Sequence, residues 1–165
     1  MQQQAVRVLR YNLRNISLKP SLPRTARNMS STTFSRVAFT AAGPDLQHEI
    51  IQVPKPSPGE GQILIKNKAS AINPADYKRI SYNIMVDQWP TSGGFETSGV
   101  VDEVGTGVTH VKKGDDVMSV GGMAGISSFG FQEYTLVPAA FAAPKPESLS
   151  HEEAASLPWV LCLLS

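Results

Sequence analysis

The 165-residue chain is predicted to be mainly β, a small closed or partly closed barrel with short helices. Short segments of high β propensity recur at regular spacing from Arg36 to Pro144, separated by glycine- or proline-bearing turns. Composition agrees: 13 Gly and 12 Pro accompany 41% hydrophobic and 18% charged residues. No segment sets a long helix between two strands, so no βαβ unit is predicted.

Arg36 to Thr40 reads as a first strand, with Val37 and Phe39 alternating with their neighbours, and Gly43-Pro44-Asp45 turns the chain. His48 to Val53 is a second strand, followed by a stiff connection through Pro54, Pro56, Pro58 and Gly59. Gln62 to Ala71 has the clearest strand pattern. Ile63, Ile65, Asn67, Ala69 and Ala71 fall on one face, and Gln62, Leu64, Lys66, Lys68 and Ser70 on the other. Pro74 to Ile80 is a short helix, because Pro74 lacks only an N–H that the first helical position leaves unpaired. Asn73 is then its N-cap, at a strand end where the side chain can face a cleft. A polar and aromatic loop, Ser81 to Thr91, leads to a strand from Thr97 to Val104. There Val101 and Val104 can bury while Asp102 and Glu103 reach solvent, before Gly105 and Gly107 reverse the chain. Val117 to Val120, Phe131 to Val137 and Phe141 to Pro144 are further strands, and Gly121 to Gly130 is a flexible loop. Ser150 begins a last helix, with Glu153 at the capping-box position.

The net charge of +1 conceals an asymmetry. Arg7, Arg10, Arg14, Lys19, Arg24, Arg27 and Arg36 lie before Asp45, and all 14 acidic residues come at or after it. The body is therefore acidic, which argues against a nucleic-acid surface. In the tail, Val6, Leu9, Leu13 and Ile16 fall at helical spacing beside Arg7, Arg10 and Arg14. Pro20 and Pro23 follow, then a Ser/Thr-rich stretch from Ser30 to Ser35. This acid-free, Arg-rich pattern predicts a mitochondrial presequence over residues 1–34. The alternatives are a disordered extension or translation from Met29, either of which suits a cytoplasmic protein. No apolar run approaches the ~20 residues of a membrane span. The lone cysteine, Cys162, allows no intrachain disulfide and has no evident base partner.

Two glycine clusters imitate a dinucleotide fingerprint. Gly105-Thr-Gly107-Val-Thr-His110 has histidine where the third glycine belongs, and a turn and strand follow it rather than a helix. Gly121-Gly122-Met-Ala-Gly125 fails for the same reason. Both read as turns, and His110 as a solvated turn residue.

Five motifs occur in one order: Asn73-Pro74-Ala75-Asp76-Tyr77-Lys78, Gly94 to Gly107, Lys113-Gly114-Asp115-Asp116-Val117, Phe131-Gln132-Glu133-Tyr134 and Glu152 to Pro158. With them the chain, from about Ser35 to Leu157, resembles the N-terminal catalytic domain of the medium-chain dehydrogenase/reductase superfamily. More narrowly it resembles the zinc-free quinone and enoyl reductase branch, which includes fungal trans-enoyl reductases. The resemblance implies a GroES-like, partly open β-barrel over residues 35–157. It also implies reduction of an enoyl, quinone or other conjugated carbonyl by hydride transfer from NADPH (or NADH). Such reductases bind the cofactor in a Rossmann domain that would follow Leu157. The expectation is therefore a catalytic-domain fragment, inactive alone, with residues 158–165 opening an interdomain helix. A homo-oligomer is expected only with the missing domain, and the fragment exposes the apolar face meant for it.

The same resemblance assigns site residues. Zinc-dependent relatives place a cysteine ligand where Asn73 stands, a hydroxyl relay where Ala75 stands and a histidine ligand where Phe95 stands. His48, His110 and His151 are scattered, and a structural zinc lobe needs four close cysteines, so no zinc is expected. Asn73 would face the nicotinamide and the substrate carbonyl with its amide as donor, a role compatible with N-capping. Asp76, Tyr77 and Lys78 would line the cofactor edge. The alternative for Tyr77 and Lys78 is ordinary helix surface. For Asp76 and Glu96 it is a structural role, Glu96 accepting backbone N–H bonds. Tyr82 is a candidate proton donor to an enolate. Met123, Phe129 and Phe131 are candidates for an apolar substrate pocket, or else core and rim. The competing class is a non-catalytic GroES-like binding module, although the Asn73–Lys78 motif has no use in a co-chaperonin ring.

Overall fold

The computed structural model describes residues 32–159. The presequence expectation for residues 1–31, Cys162, and the part of the interdomain helix from residue 160 onward lie outside the described residues.

An antiparallel hairpin comes first, β1 (Thr33–Phe39) with β2 (His48–Pro54), in register from Phe39 opposite His48 to Thr33 opposite Pro54. The strand starts three residues before the predicted Arg36, because Thr33 to Ser35 find partners in Pro54 to Gln52. A five-stranded antiparallel sheet follows: β3 (Gln62–Ala71), β4 (Glu96–Val104), β5 (Asp116–Val120), β6 (Tyr134–Pro138) and β7 (Ala142–Pro144), in the order β6-β3-β4-β5-β7. Short helices α1 (Pro74–Ser81) and α2 (His151–Ala155) complete the set. The architecture is the partly open, mainly β one expected, with no Rossmann unit among the described residues.

The predicted strand from Phe131 divides in two. Only Tyr134 onward pairs with β3 as β6. Residues 131–133 turn to β1 instead, with the Val37 N–H donating to Phe131 O at 2.9 Å and the Glu133 N–H to Ser35 O at 3.1 Å. This seam joins the hairpin to the sheet.

Ile63 and Ile65 of β3, Val101, Val117 and Val137 form the core with Val111, Ala139 and Ala142. The alternation read along β3 holds only in part. Leu64, assigned to the polar face, is fully buried. A central strand is covered on both faces, and α2 packs against β3, β4 and β5. Register shifts between Leu64 and Ile65 and between Asn67 and Ala69 also break the period of two. At the second shift the strands approach so closely that a Cβ on Gly99 would lie 2.2 Å from the Lys66 carbonyl oxygen. Asp102 and Glu103 do not simply meet water. Lys55 Nζ reaches Asp102 Oδ2 at 2.5 Å and Glu103 Oε1 at 2.8 Å, and sits 4.8 Å from the Tyr134 ring centroid. The two carboxylates raise the Lys55 pKa.

The 121–130 segment, expected to be flexible, is tied down. Gly121 N–H donates to Phe95 O at 2.6 Å and Gly130 N–H to Gly94 O at 2.7 Å, and a 3-10 turn occupies Ile126–Ser128. The predicted cap of α2 is present: Glu153 N–H donates to Ser150 Oγ at 3.2 Å and Ser150 N–H to Glu153 Oε2 at 2.9 Å. No helix among the described residues is long and apolar enough to cross a membrane.

Candidate functional site

The site begins where β3 gives way to α1. Asn73 has extended geometry (φ −106°, ψ 153°) and Pro74 follows as the first helical residue. Asn73 is the N-cap and forms a capping box with Asp76, although its own side chain lies outside full hydrogen-bond geometry to the helix. Its Nδ2 donates to Glu96 Oε2 at 2.6 Å. The turn is closed by Asp76, whose Oδ2 accepts the Asn73 N–H at 2.9 Å while its own N–H donates to Asn73 O at 3.0 Å.

Asp76 is 2% exposed, and its Oδ1 accepts the Gly94 N–H at 2.6 Å. Burial pushes its carboxyl pKa up, against the backbone donors of Asn73, Gly94 and Phe95 and the charge of Arg79. Both of its oxygens bond inward and join the start of α1 to the segment before β4. Gly94 is required there. It has φ +92°, and a Cβ would lie 2.7 Å from the Phe131 ring.

Glu96 opens β4 and is 2% exposed. Besides the Asn73 amide it accepts the Trp159 N–H on Oε1 at 2.6 Å. Trp159 also packs its ring 5.6 Å from Phe95, which meets Phe129 edge-on at 5.5 Å. The anticipated structural use of Glu96 as an acceptor of backbone N–H bonds is seen at one oxygen; the other holds Asn73.

The remaining predicted residues separate by exposure. Tyr77 is 41% and Tyr82 64% exposed, with their rings edge to face at 6.3 Å, and Lys78 is exposed between them. Of Asn73, Tyr77, Lys78 and Tyr82, the structure brings Tyr77 and Tyr82 into contact, while Asn73 and Tyr82 cap opposite ends of α1. Ile72 and Met85, both 82% exposed, flank them in sequence. Met123 is also exposed, on the 121–130 loop. Phe129 is buried, and the Arg79 guanidinium lies 4.4 Å over its ring. Phe131 is half-buried against Gly93 and Gly94.

Sequence reasoning missed Arg79. Its Nη1 donates to Ser92 O at 3.0 Å and Nη2 to Thr91 Oγ1 at 3.1 Å, so α1, residues 91–92 and Phe129 meet on one side chain. Burial lowers its pKa, while Asp76 and Asp87 oppose the shift. The available signal was its spacing, three after Asp76 on a helix.

The family description of the alcohol dehydrogenase GroES-like domain matches residues 59–147, which run from the turn before β3 to just past β7. The chain belongs to this family. It is similar to the dehydrogenase orsE of Emericella nidulans, at 38% identity over 134 residues covering 77% of this chain and 38% of the relative. It is also similar to the trans-enoyl reductase FMN2 of Fusarium mangiferae, at 38% identity over 105 residues covering 64% of this chain and 26% of the relative. Among solved structures it resembles Escherichia coli quinone oxidoreductase complexed with NADPH, with a TM-score of 0.65, 30% identity, and 74% of this chain and 36% of that chain covered. The GroES-like chain therefore spans well under half the length of these relatives and matches their N-terminal part.

Proposed function

We propose that the chain supplies the substrate-facing part of an NAD(P)H-dependent oxidoreductase that reduces an enoyl, quinone or other conjugated carbonyl without zinc. The observation that carries this reading is the Asn73 amide, fixed by Glu96 at the foot of a helix that exposes Tyr77, Lys78 and Tyr82. The quinone and enoyl reductases among the relatives support the reaction class.

The zinc-free reading is supported by the donor set. Among the described residues, no three of His, Cys, Asp and Glu converge. The positions of the family's ligands and relay carry an amide, a methyl and a phenyl ring at Asn73, Ala75 and Phe95. Both oxygens of Glu96 and of Asp76 already accept N–H bonds.

The nicotinamide, when bound, supplies the hydride. Tyr77 and Lys78 would border it, the ammonium offering charge to a phosphate or ribose edge. Asn73 spends one N–H on Glu96 and keeps the other for the substrate carbonyl oxygen, where negative charge builds as the double bond accepts the hydride. Because the amide is already oriented, the donor costs no reorganisation at that moment. Tyr82 is the candidate to donate its phenolic proton to the enolate carbon beside the carbonyl, the phenolate then being reprotonated from water.

The test is chemical-shift mapping on the full chain with reduced nicotinamide mononucleotide and a small cyclic enone. Expected are saturable shifts at Asn73, Tyr77, Lys78 and Tyr82, with about millimolar affinity, or roughly 4 kcal/mol. Shifts scattered elsewhere, or none, would overturn the reading.

A further inference from the structure

We infer that Glu96 is the positioning residue for Asn73, and that it ties the orientation of that amide to the backbone at Trp159. The inference deepens the proposed function, since it rests on Asn73 as the carbonyl donor. The pairing of Ala71 with Glu96 sets the first residue of β4 beside the end of β3, two residues before Asn73. From there one carboxylate reaches both donors at 2.6 Å, the Asn73 Nδ2 through Oε2 and the Trp159 N–H through Oε1.

A carboxylate only accepts hydrogen bonds, so the amino end of the Asn73 amide faces Glu96 and its carbonyl end is turned away. No second acceptor touches Nδ2 among the described residues, which leaves one N–H of Asn73 directed by the first. Glu96 is 2% exposed, so water does not replace a lost donor. Removing either donor leaves a buried charge under-satisfied and draws the carboxylate toward the other, which couples the two bonds. The Trp159 end is held by packing as well. Pro158 and Trp159 are helical, and the Trp159 ring lies 5.6 Å from the Phe95 ring, on the residue next to Glu96. A displacement of the backbone at Trp159 is thereby transmitted through a single side chain to the donor in the cleft.

The experiment is nuclear magnetic resonance of the full chain without any ligand, which keeps its outcome separate from that of the nicotinamide mapping. The two side-chain amide protons of Asn73 are assigned by their loss in Asn73→Ala. The proton bonded to Glu96 is expected well downfield of its position in a free asparagine side chain. Glu96→Gln should move that resonance upfield and speed exchange of the pair by about tenfold, as loss of a charge-assisted bond predicts. In the reverse direction, Asn73→Ala should move the backbone N–H resonance of Trp159, to which residue 73 makes no hydrogen bond. Should Glu96→Gln fail to fold, the Asn73→Ala arm decides alone. Asn73 protons unmoved by Glu96→Gln in a folded chain, or a Trp159 N–H unmoved by Asn73→Ala, would overturn the proposal.

Discussion

At Asp76 a buried carboxylate accepts one backbone N–H on each oxygen, from Asn73 and from Gly94. Asp76→Asn keeps the shape but offers one acceptor, so one of those N–H groups faces an NH₂ instead. The expected loss is about 1–3 kcal/mol, read from the urea midpoint. The pH dependence carries a sign. Burial holds the folded pKa of Asp76 above its ordinary value of 3.8, so between the two values the folded chain binds more protons than the unfolded one. Stability contributed by this residue is therefore full below that window and declines as pH rises through the folded pKa. Wild type should lose ground relative to Asp76→Asn as pH climbs from about 4 toward neutrality; an advantage that grows over that range would contradict the burial argument.

Between elements, two side chains serve as joints. Arg79 links α1 to residues 91–92 and lies over Phe129, and Thr91 pairs in turn with Phe39, donating and accepting one backbone bond each. Arg79→Ala should cost about 2 kcal/mol and speed hydrogen exchange at the Thr91 and Phe39 amides more than at Ile63 or Val101. Arg79→Lys should recover little of it, since an ammonium cannot make the forked contact and stack at once. Gly99→Ala belongs to the same scale. The carbonyl of Lys66 stands where the methyl would go, so β3 and β4 must separate, with an expected loss above ~3 kcal/mol and a lowered thermal midpoint.

What was legible in the sequence lies at this scale too. The bounds of β3, the Pro74 helix start and the Ser150–Glu153 cap were readable because each depends on residues within a few positions. Phe131 to Glu133 has the same local character as the strand after it, and only its partner, β1, sets it apart. Leu64 looked polar-facing because alternation records one covered face, whereas a central strand has two. The site divides in the same way. Asn73, Tyr77, Lys78 and Tyr82 follow from one motif and one short helix. The partner of the Asn73 amide stands 23 residues away, and no spacing rule relates the two.

For the whole molecule, the apolar residues left outside the core are informative. Ile72, Tyr82, Met85 and Met123 are each more than 60% exposed, and three of them belong to α1 and its flanks. Such a surface favours self-association. Met85→Ser combined with Ile72→Ser should lower the apparent particle size in concentrated samples, measured by light scattering, and leave the thermal midpoint almost unchanged. Loss of the midpoint would show that these side chains are packed rather than exposed.

The seam between β1 and residues 131–133 has a further consequence, for the order in which the molecule can be made. Ser35 and Glu133 are 98 positions apart, so bringing them together costs about 4 kcal/mol of loop-closure entropy before any bond between them forms. A ribosome has released the whole of β1 long before Glu133 exists. Until then β1 is met outside the hairpin at Phe39, by Thr91, while the stretch from Ser35 to the Val37 N–H that will receive residues 131–133 stands open. The first strand synthesised is thus among the last to be placed, and a nascent chain halted anywhere between β2 and β6 carries an unpaired edge that a neighbouring nascent chain can take up.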